Sequence, residues 1–454
     1  MIEALPYATI SEMANAIKNR RISSTELVRS YLKRIDSIDG VLNSFRTICE
    51  EKALAEAAKC DEEAAKGSFR GPFHGIPYAL KDLFDKRGVV TTAGSRVYEN
   101  FIPDDDAAAV KKLDNAGAVF LGKLNMNEFA FGITGNNPHY GDTLNPCDHR
   151  RLTGGSSSGS AAAVKAGLAP FALGTDTGGS IRIPSALCGI CGLKPTYGAI
   201  DAKGVVPLAW SLDHVGPMAR SVEDLFPVFD ILAGKNAEKR PIDSEFTMKN
   251  KVIAVLTKRF LDRAHEDVEN AVWKAASRFS ELGAKIIELT IPDTDEADMA
   301  AYAVLFSEAA ASIEMHLKNN WEIISRDVLN NVNVGMTIPA FRYVHAQRIR
   351  RKFIRAMKGV FDKADFLIAP ATPVSAPLRD QETIEISKTD ITDVRSALTR
   401  FTRLFNFSGN PVLTFPVEND QNGLPLSIQL VGRHFHEAPL MASGVMYQKH
   451  YPLD

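Results

Sequence analysis

Two glycine- and serine-rich segments carry residue types that could do chemistry. Gly154-Gly155-Ser156-Ser157-Ser158-Gly159-Ser160 leads into an alanine-rich run, and Thr175-Asp176-Thr177-Gly178-Gly179-Ser180 follows a short apolar stretch. Glycine lets consecutive backbone N–H groups approach a ligand with no Cβ in the way, and such a nest can hold a phosphate or a developing oxyanion. The first segment has the glycine spacing of a phosphate loop, but Ser160 stands where the phosphate-binding lysine belongs, which discards that reading. Gly155-x-Ser157-x-Gly159 also fits a nucleophile elbow, which would need an acid and a histidine later in the chain, and a serine-rich loop meets that pattern easily. The plain alternative is two structural turns whose serines cap helices. Either loop taken alone leaves these two readings open.

A third segment changes the weighing. Gly75-Ile76-Pro77-Tyr78-Ala79-Leu80-Lys81-Asp82 precedes both loops, and the three together resemble the amidase signature family. Members of that family carry a lysine in a G-[IV]-P-x-x-x-K-D segment, then a G-G-S-S-[SG]-G-S loop, then G-[ST]-D-x-G-G-S-I-R-x-P. The interval from Ser156 to Ser180 matches that between the family's two catalytic serines. Further matches are Gly122-Lys123-Leu124-Asn125-Met126-Asn127-Glu128-Phe129 and Cys188-Gly189-Ile190-Cys191-Gly192-Leu193-Lys194-Pro195-Thr196. Strong motifs run from Gly71 to Pro217, and weaker similarity, as at Gly423 to Gly432, reaches the C-terminus.

The resemblance implies an α/β/α layered fold with a central mixed β-sheet flanked by helices. It also implies an amidase that cleaves a carboxamide through an acyl-enzyme. Ser180 would be the nucleophile, Ser156 a bridging serine after a cis peptide from Gly155, and Lys81 the ultimate base. The backbone N–H groups of Thr177, Gly178, Gly179 and Ser180 would form the oxyanion hole, and Ala130 would line the acyl pocket. Elementary chemistry adds a condition. An ammonium has three donors and no acceptor, so Lys81 must be neutral to take a proton from Ser156. Its ordinary pKa of about 10.4 must come down to near neutrality, which desolvation can supply. The apolar run Ile76 to Leu80 predicts that burial, and Asp82 and Asp85 are expected to face away from the amine.

Other candidates read as scaffold. Cys188 and Cys191 have redox-motif spacing, but two cysteines cannot complete a zinc site, so packing is expected. His434 and His436 have no carboxylate or cysteine cluster nearby in sequence and read as a surface loop; no metal and no cofactor are expected. Arg182 would brace the nucleophile loop through carboxylates rather than grip a substrate, and Arg326 reads as an exposed helix residue. Phe129 and Phe131 are core, pocket lining or one of each. Two enzyme classes carry these motifs: an amidase acting alone on a small molecule, and the glutaminase component of a tRNA-dependent glutamyl-tRNA amidotransferase, its A subunit. Thr399 stands where a glutaminase pocket would need an acidic residue for the amino group of glutamine, which favours the small-molecule amidase.

These groups need a rigid frame, and the chain is long enough to provide one. Its 454 residues are 45% hydrophobic and 24% charged, and 53 Lys+Arg against 55 Asp+Glu give a net charge of −2. That is an ordinary globular composition without the basic excess that advertises nucleic acid, so no nucleic-acid partner is expected in the favoured reading. Five cysteines are too few for a disulfide framework, and neither a signal peptide nor a membrane-spanning run is seen, so the cytoplasm is the expected location. A homodimer is allowed by the prevalence of twofold assemblies. Thr9-x-x-Glu12 and Ser23-x-x-Glu26 predict capped helices. Short apolar strands are predicted at Ala118 to Leu121, Pro170 to Leu173, Val252 to Leu256, Lys285 to Leu289, Phe366 to Ala369, Val412 to Phe415 and Ile428 to Val431. A helical pattern of Val268, Val272, Ala276 and Phe279 gives the βαβ rhythm. The expectation is a single domain over 1–454, with its motif core about 71–217 and an α/β insertion about 235–300.

Overall fold

The computed structural model describes residues 6–234 and 246–453. The start of the expected insertion, 235–245, therefore lies outside the described residues. The described residues form thirteen strands: β1 (Phe45–Ile48), β2 (Pro77–Lys81), β3 (Val119–Leu124), β4 (Phe171–Asp176), β5 (Cys191–Lys194), β6 (His214–Ala219), β7 (Val252–Leu256), β8 (Lys285–Leu289), β9 (Phe366–Pro370), β10 (Thr383–Ser387), β11 (Asp390–Asp393), β12 (Val412–Asn419) and β13 (Pro425–Val431). Eleven form one mixed sheet in the order β1-β3-β2-β4-β6-β5-β12-β13-β9-β7-β8, while β10 and β11 make a separate hairpin. The pairs β2/β3, β2/β4, β7/β8 and β7/β9 are parallel and the others antiparallel. The βαβ unit of β7 and β8 is hydrogen-bonded into the same sheet through β9.

Strand burial follows position. Every residue of β2, β3 and β4 is buried, as expected for central strands covered on both faces, whereas the edge strand β8 has only exposed and half-buried residues. The helix Ser158–Lys165 packs against β2, β3 and β4. Its alanines and Gly159 let it lie close: a Cβ at Gly159 would come within 2.3 Å of the Ser44 carbonyl oxygen. Both expected capping boxes are present, at Thr9/Glu12 and Ser23/Glu26. Val268, Val272, Ala276 and Phe279 are buried on one face of the helix Glu266–Glu281.

Among the helices of the second half that the sequence patterns did not single out, three long ones pack together. Thr294–Asn320 packs against Arg326–Met336 and Ala340–Phe361, and also reaches the short helix Arg403–Ser408. Among the described residues, no helix is long and apolar enough to cross a membrane.

Candidate active site

Strand β2 ends in Lys81, and its parallel pairing with β4 (Ala79 with Ala172, Leu80 with Leu173) carries that lysine to the turn that follows β4. The C-terminal ends of parallel strands are where open α/β sheets place ligands. Lys81 is fully buried, with Nζ 2.7 Å from Ser156 Oγ and 2.9 Å from Thr175 Oγ1. Burial lowers its pKa to about 7, against the pull of the Asp176 and Asp213 carboxylates. At that value neutral amine is populated near neutral pH and offers a lone pair to a hydroxyl proton. Asp82 faces elsewhere: it pairs with Lys123 at 3.3 Å and accepts hydrogen bonds from Thr92. Asp85 is not among the groups that act on Lys81.

The Gly155–Ser156 peptide is cis. Ser157, the elbow candidate, is tied to β4, its hydroxyl donating to the Thr175 carbonyl at 3.2 Å and accepting from the Thr175 N–H at 3.3 Å. The Ser157 N–H also donates to the Ser180 carbonyl at 3.2 Å, which stitches the two serine loops side by side. Ser180 lines a cleft of about 230 Å³. Among the described residues, the Ser156 and Ser180 hydroxyls make no hydrogen bond to each other; Lys81 sits between the hydroxyls of Ser156 and Thr175 on the sheet side.

Asp176, at the end of β4, organises the loop that carries Ser180. It is fully buried and accepts from the backbone N–H groups of Gly179 (2.8 Å), Ile181 (3.1 Å) and Arg182 (3.3 Å). The Arg182 guanidinium grips it twice at 2.9 Å, and Asn406 donates to it at 2.8 Å. Burial alone would raise the Asp176 pKa, but the Arg182 charge and these hydrogen bonds outweigh it and hold the carboxyl well below its usual range. Arg182 is wholly buried and also donates to the Thr402 carbonyl at 2.8 Å, so it braces the loop.

The oxyanion-hole expectation needs one correction: because the Gly179 N–H already donates to Asp176, it is not free for a ligand. Among the described residues, the N–H groups of Thr177, Gly178 and Ser180 have no such acceptor. Gly179 still has a steric role. Its φ is +135°, and a Cβ there would lie 2.5 Å from Thr402 Oγ1, which itself donates to the Gly178 carbonyl. Thr177 Oγ1 donates to Asp213 at 2.6 Å, which fixes the first residue of the loop.

The cleft at Ser180 is walled by Ala130, Phe131, Leu208, Leu305 and Phe306, with Thr399 and Arg403 at its polar side. Phe131 lines the cleft while Phe129 packs on His316 and Tyr98, so the two aromatics divide their roles. Arg326 is exposed and borders a neighbouring cleft of about 690 Å³. Cys188 is buried, its thiol against the Thr153 carbonyl, and all five cysteines are free thiols. His434 and His436 lie in a loop. Among the described residues, no group of three His, Cys, Asp or Glu side chains is placed to hold a metal. Sequence reasoning missed Thr175, Asp176, Asp213, Thr402 and Asn406 as supports. Only Thr175 and Asp176 carried a signal, since both lie in the second glycine-rich segment.

Known proteins resemble this chain along nearly its whole length. The Amidase family model matches residues 26–441. The chain is 38% identical to AtzE, a component of the 1-carboxybiuret hydrolase of Pseudomonas sp. (strain ADP), over 96% of this chain and 97% of that protein. It is 35% identical to the A subunit of the glutamyl-tRNA(Gln) amidotransferase of Thioalkalivibrio sulfidiphilus, over 97% and 96%. Its fold superposes on that of the peptide amidase of Stenotrophomonas maltophilia with a TM-score of 0.83 at 28% identity, covering 98% of each chain. A buried lysine against a serine beside a loop of backbone donors, together with a match along nearly the whole chain, leads to one conclusion: this protein belongs to the Amidase family and is a hydrolase of amide C–N bonds.

Proposed function

We propose that the chain hydrolyses a small-molecule carboxamide to a carboxylate and ammonia or an amine through a Ser180–Ser156–Lys81 triad and an acyl-enzyme. The observation that carries this reading is the buried, carboxylate-free contact between Lys81 Nζ and Ser156 Oγ at 2.7 Å. Neutral Lys81 takes the Ser156 proton, Ser156 takes the proton of Ser180, and Ser180 Oγ attacks the amide carbonyl. The N–H groups of Thr177, Gly178 and Ser180 stabilise the oxyanion, each well-placed donor in such a site contributing about 2.7–4 kcal/mol. The relay then runs backwards to protonate the leaving nitrogen, and water hydrolyses the ester on Ser180. The Ser156–Ser180 hydrogen bond closes when substrate fills the cleft, as catalytic hydrogen bonds tighten in the reacting complex. No cofactor takes part, and the free thiols fit a reducing compartment such as the cytoplasm.

A second reading has its own support, since relatives that include the A subunit of glutamyl-tRNA(Gln) amidotransferase match 97% of the chain. Thr399, which carries no charge, lines the cleft and favours the first reading. The chain purified alone, given simple aliphatic and aryl amides alongside glutamine, distinguishes the two. Ammonia release from simple amides without partners, abolished in Ser180→Ala, is expected. Activity on glutamine that appears only with partner proteins and tRNA would overturn the first reading in favour of the second, and unchanged turnover in Ser180→Ala would overturn the role of Ser180.

A further inference from the structure

Two cations line the cleft at Ser180, Arg395 and Arg403, and Arg403 is the more buried. Arg403 is mostly buried, and its Nε donates to Asp298 Oδ1 at 3.0 Å. Its guanidinium lies over the Tyr302 ring at 5.5 Å, and Tyr302 stacks on Phe306. Among the described residues, neither Nη of Arg403 has a hydrogen-bond acceptor. Asp298 cannot neutralise it fully, because its other oxygen is engaged by Arg259 at 2.8 Å. Of the other charges on the cleft wall, Asp393 caps a helix through the Ser396 N–H at 2.9 Å, and Arg395 is more exposed than Arg403 and donates one Nη to Asp327. Arg403 also follows Thr402, whose hydroxyl holds the Gly178 carbonyl, so its backbone is fixed to the loop of the nucleophile.

We infer that Arg403 is a specificity-determining residue that binds a carboxylate carried by the substrate, so that the preferred substrates are monoamides of dicarboxylic acids or amides of similar length bearing an anion. This rests on the reading that Ser180 attacks the amide in the same cleft. A planar guanidinium held at Nε and stacked on an aromatic ring presents its two Nη groups in the fork that matches a carboxylate. An uncharged amide leaves that fork without a partner. The rest of the wall offers a substrate anion the uncharged Thr399 and the apolar Phe131, Leu305 and Phe306, and the other cation, Arg395, is the more exposed of the two and is paired with Asp327.

The test uses the full chain and the monoamides of malonic, succinic and glutaric acid against the uncharged butyramide. Wild type is expected to show a kcat/KM for at least one monoamide about 10- to 100-fold above that for butyramide, the range of a charge-assisted hydrogen bond. Arg403→Gln should erase that difference mainly through KM while changing butyramide turnover less than about threefold, and Arg403→Lys should restore part of it. Inhibition of butyramide hydrolysis by succinate, but not by succinamide, reads the same site in the unaltered chain. Equal preference in wild type, no inhibition by succinate, or an equal loss on both substrate classes in Arg403→Gln would overturn the proposal while leaving Ser180 in place. Hydrolysis of both classes that persists in Ser180→Ala would instead overturn the reading beneath it.

Discussion

Two lysines on neighbouring strands of the same sheet are equally buried and differently partnered. Leu80 of β2 is in register with Lys123 of β3, so Lys81 and Lys123 are nearly side by side in the ladder. Both are wholly shielded from solvent. Lys123 meets the Asp82 carboxylate at 3.3 Å, the Phe84 carbonyl at 2.6 Å and Thr91 Oγ1 at 2.9 Å. Lys81 meets only hydroxyls, those of Ser156 and Thr175. Burial lowers both pKa values, but Lys123 has a contacting carboxylate to oppose it, whereas the acids that act on Lys81 hold it from beyond contact. Burial alone therefore does not make a base. What matters is whether the buried amine's partners can exchange a proton with it, and a carboxylate in contact would keep it charged.

Replacing each lysine is the largest test of that contrast. Lys81→Met should lower kcat by about 10³- to 10⁴-fold, in the range of losing a positioned base, while its melting temperature stays level or rises, as when an apolar side chain replaces a buried polar one. Lys123→Met should do the opposite. It leaves Asp82 buried without its cation, which costs about 3–5 kcal/mol of stability, while turnover per folded molecule at low temperature should remain close to wild type. Chemical denaturation and steady-state kinetics on the two proteins check both, and a kinetic collapse in Lys123→Met with stability intact would break the comparison.

A pH profile sharpens it further. With Lys81 at about 7, kcat/KM should fall as pH drops through that value, because the protonated amine has no lone pair, and should level off above it. An acid limb lying only near pH 4–5, the ordinary carboxylate range, would reassign the base. The smallest effect is expected from Thr175→Val, which removes one of two hydroxyls on the amine and should reduce kcat by about 2- to 10-fold without moving substrate KM, in keeping with a single neutral hydrogen bond.

Legibility in the sequence divided along the same line. The lysine, both serine loops and the capping boxes are local patterns, and local patterns survive without coordinates. Seven strands were legible as short apolar runs, but β1, β2, β5 and β6, two of them at the middle of the sheet, were not, and the predicted runs are shorter than some of the strands: β12 continues to Asn419 because its partner β13 starts at Pro425 and keeps the antiparallel ladder going. The supports were not legible, because Asp213, Thr402 and Asn406 reach the nucleophile loop only through the fold. The Gly179 N–H was misassigned for a similar reason: a glycine-rich turn advertises donors, but which of them an adjacent carboxylate consumes depends on how Asp176 is turned. The helices Thr294–Asn320, Arg326–Met336 and Ala340–Phe361 carry no motif, and yet the first two supply part of the cleft wall.

That last division has a consequence for how such an enzyme changes. The groups proposed to break the bond all come from the first half of the chain, on strand ends and a loop locked by Asp176, while Tyr302, Leu305, Phe306 and Arg403 come from the second. Side-chain substitutions at Tyr302, Leu305 or Phe306, unlike changes at Thr402 or Asn406, which hold the Ser180 loop, can remodel the shape of the chamber without removing a contact to that loop. A lineage built on this plan can therefore drift from one amide to another by altering its walls, with its chemistry inherited intact.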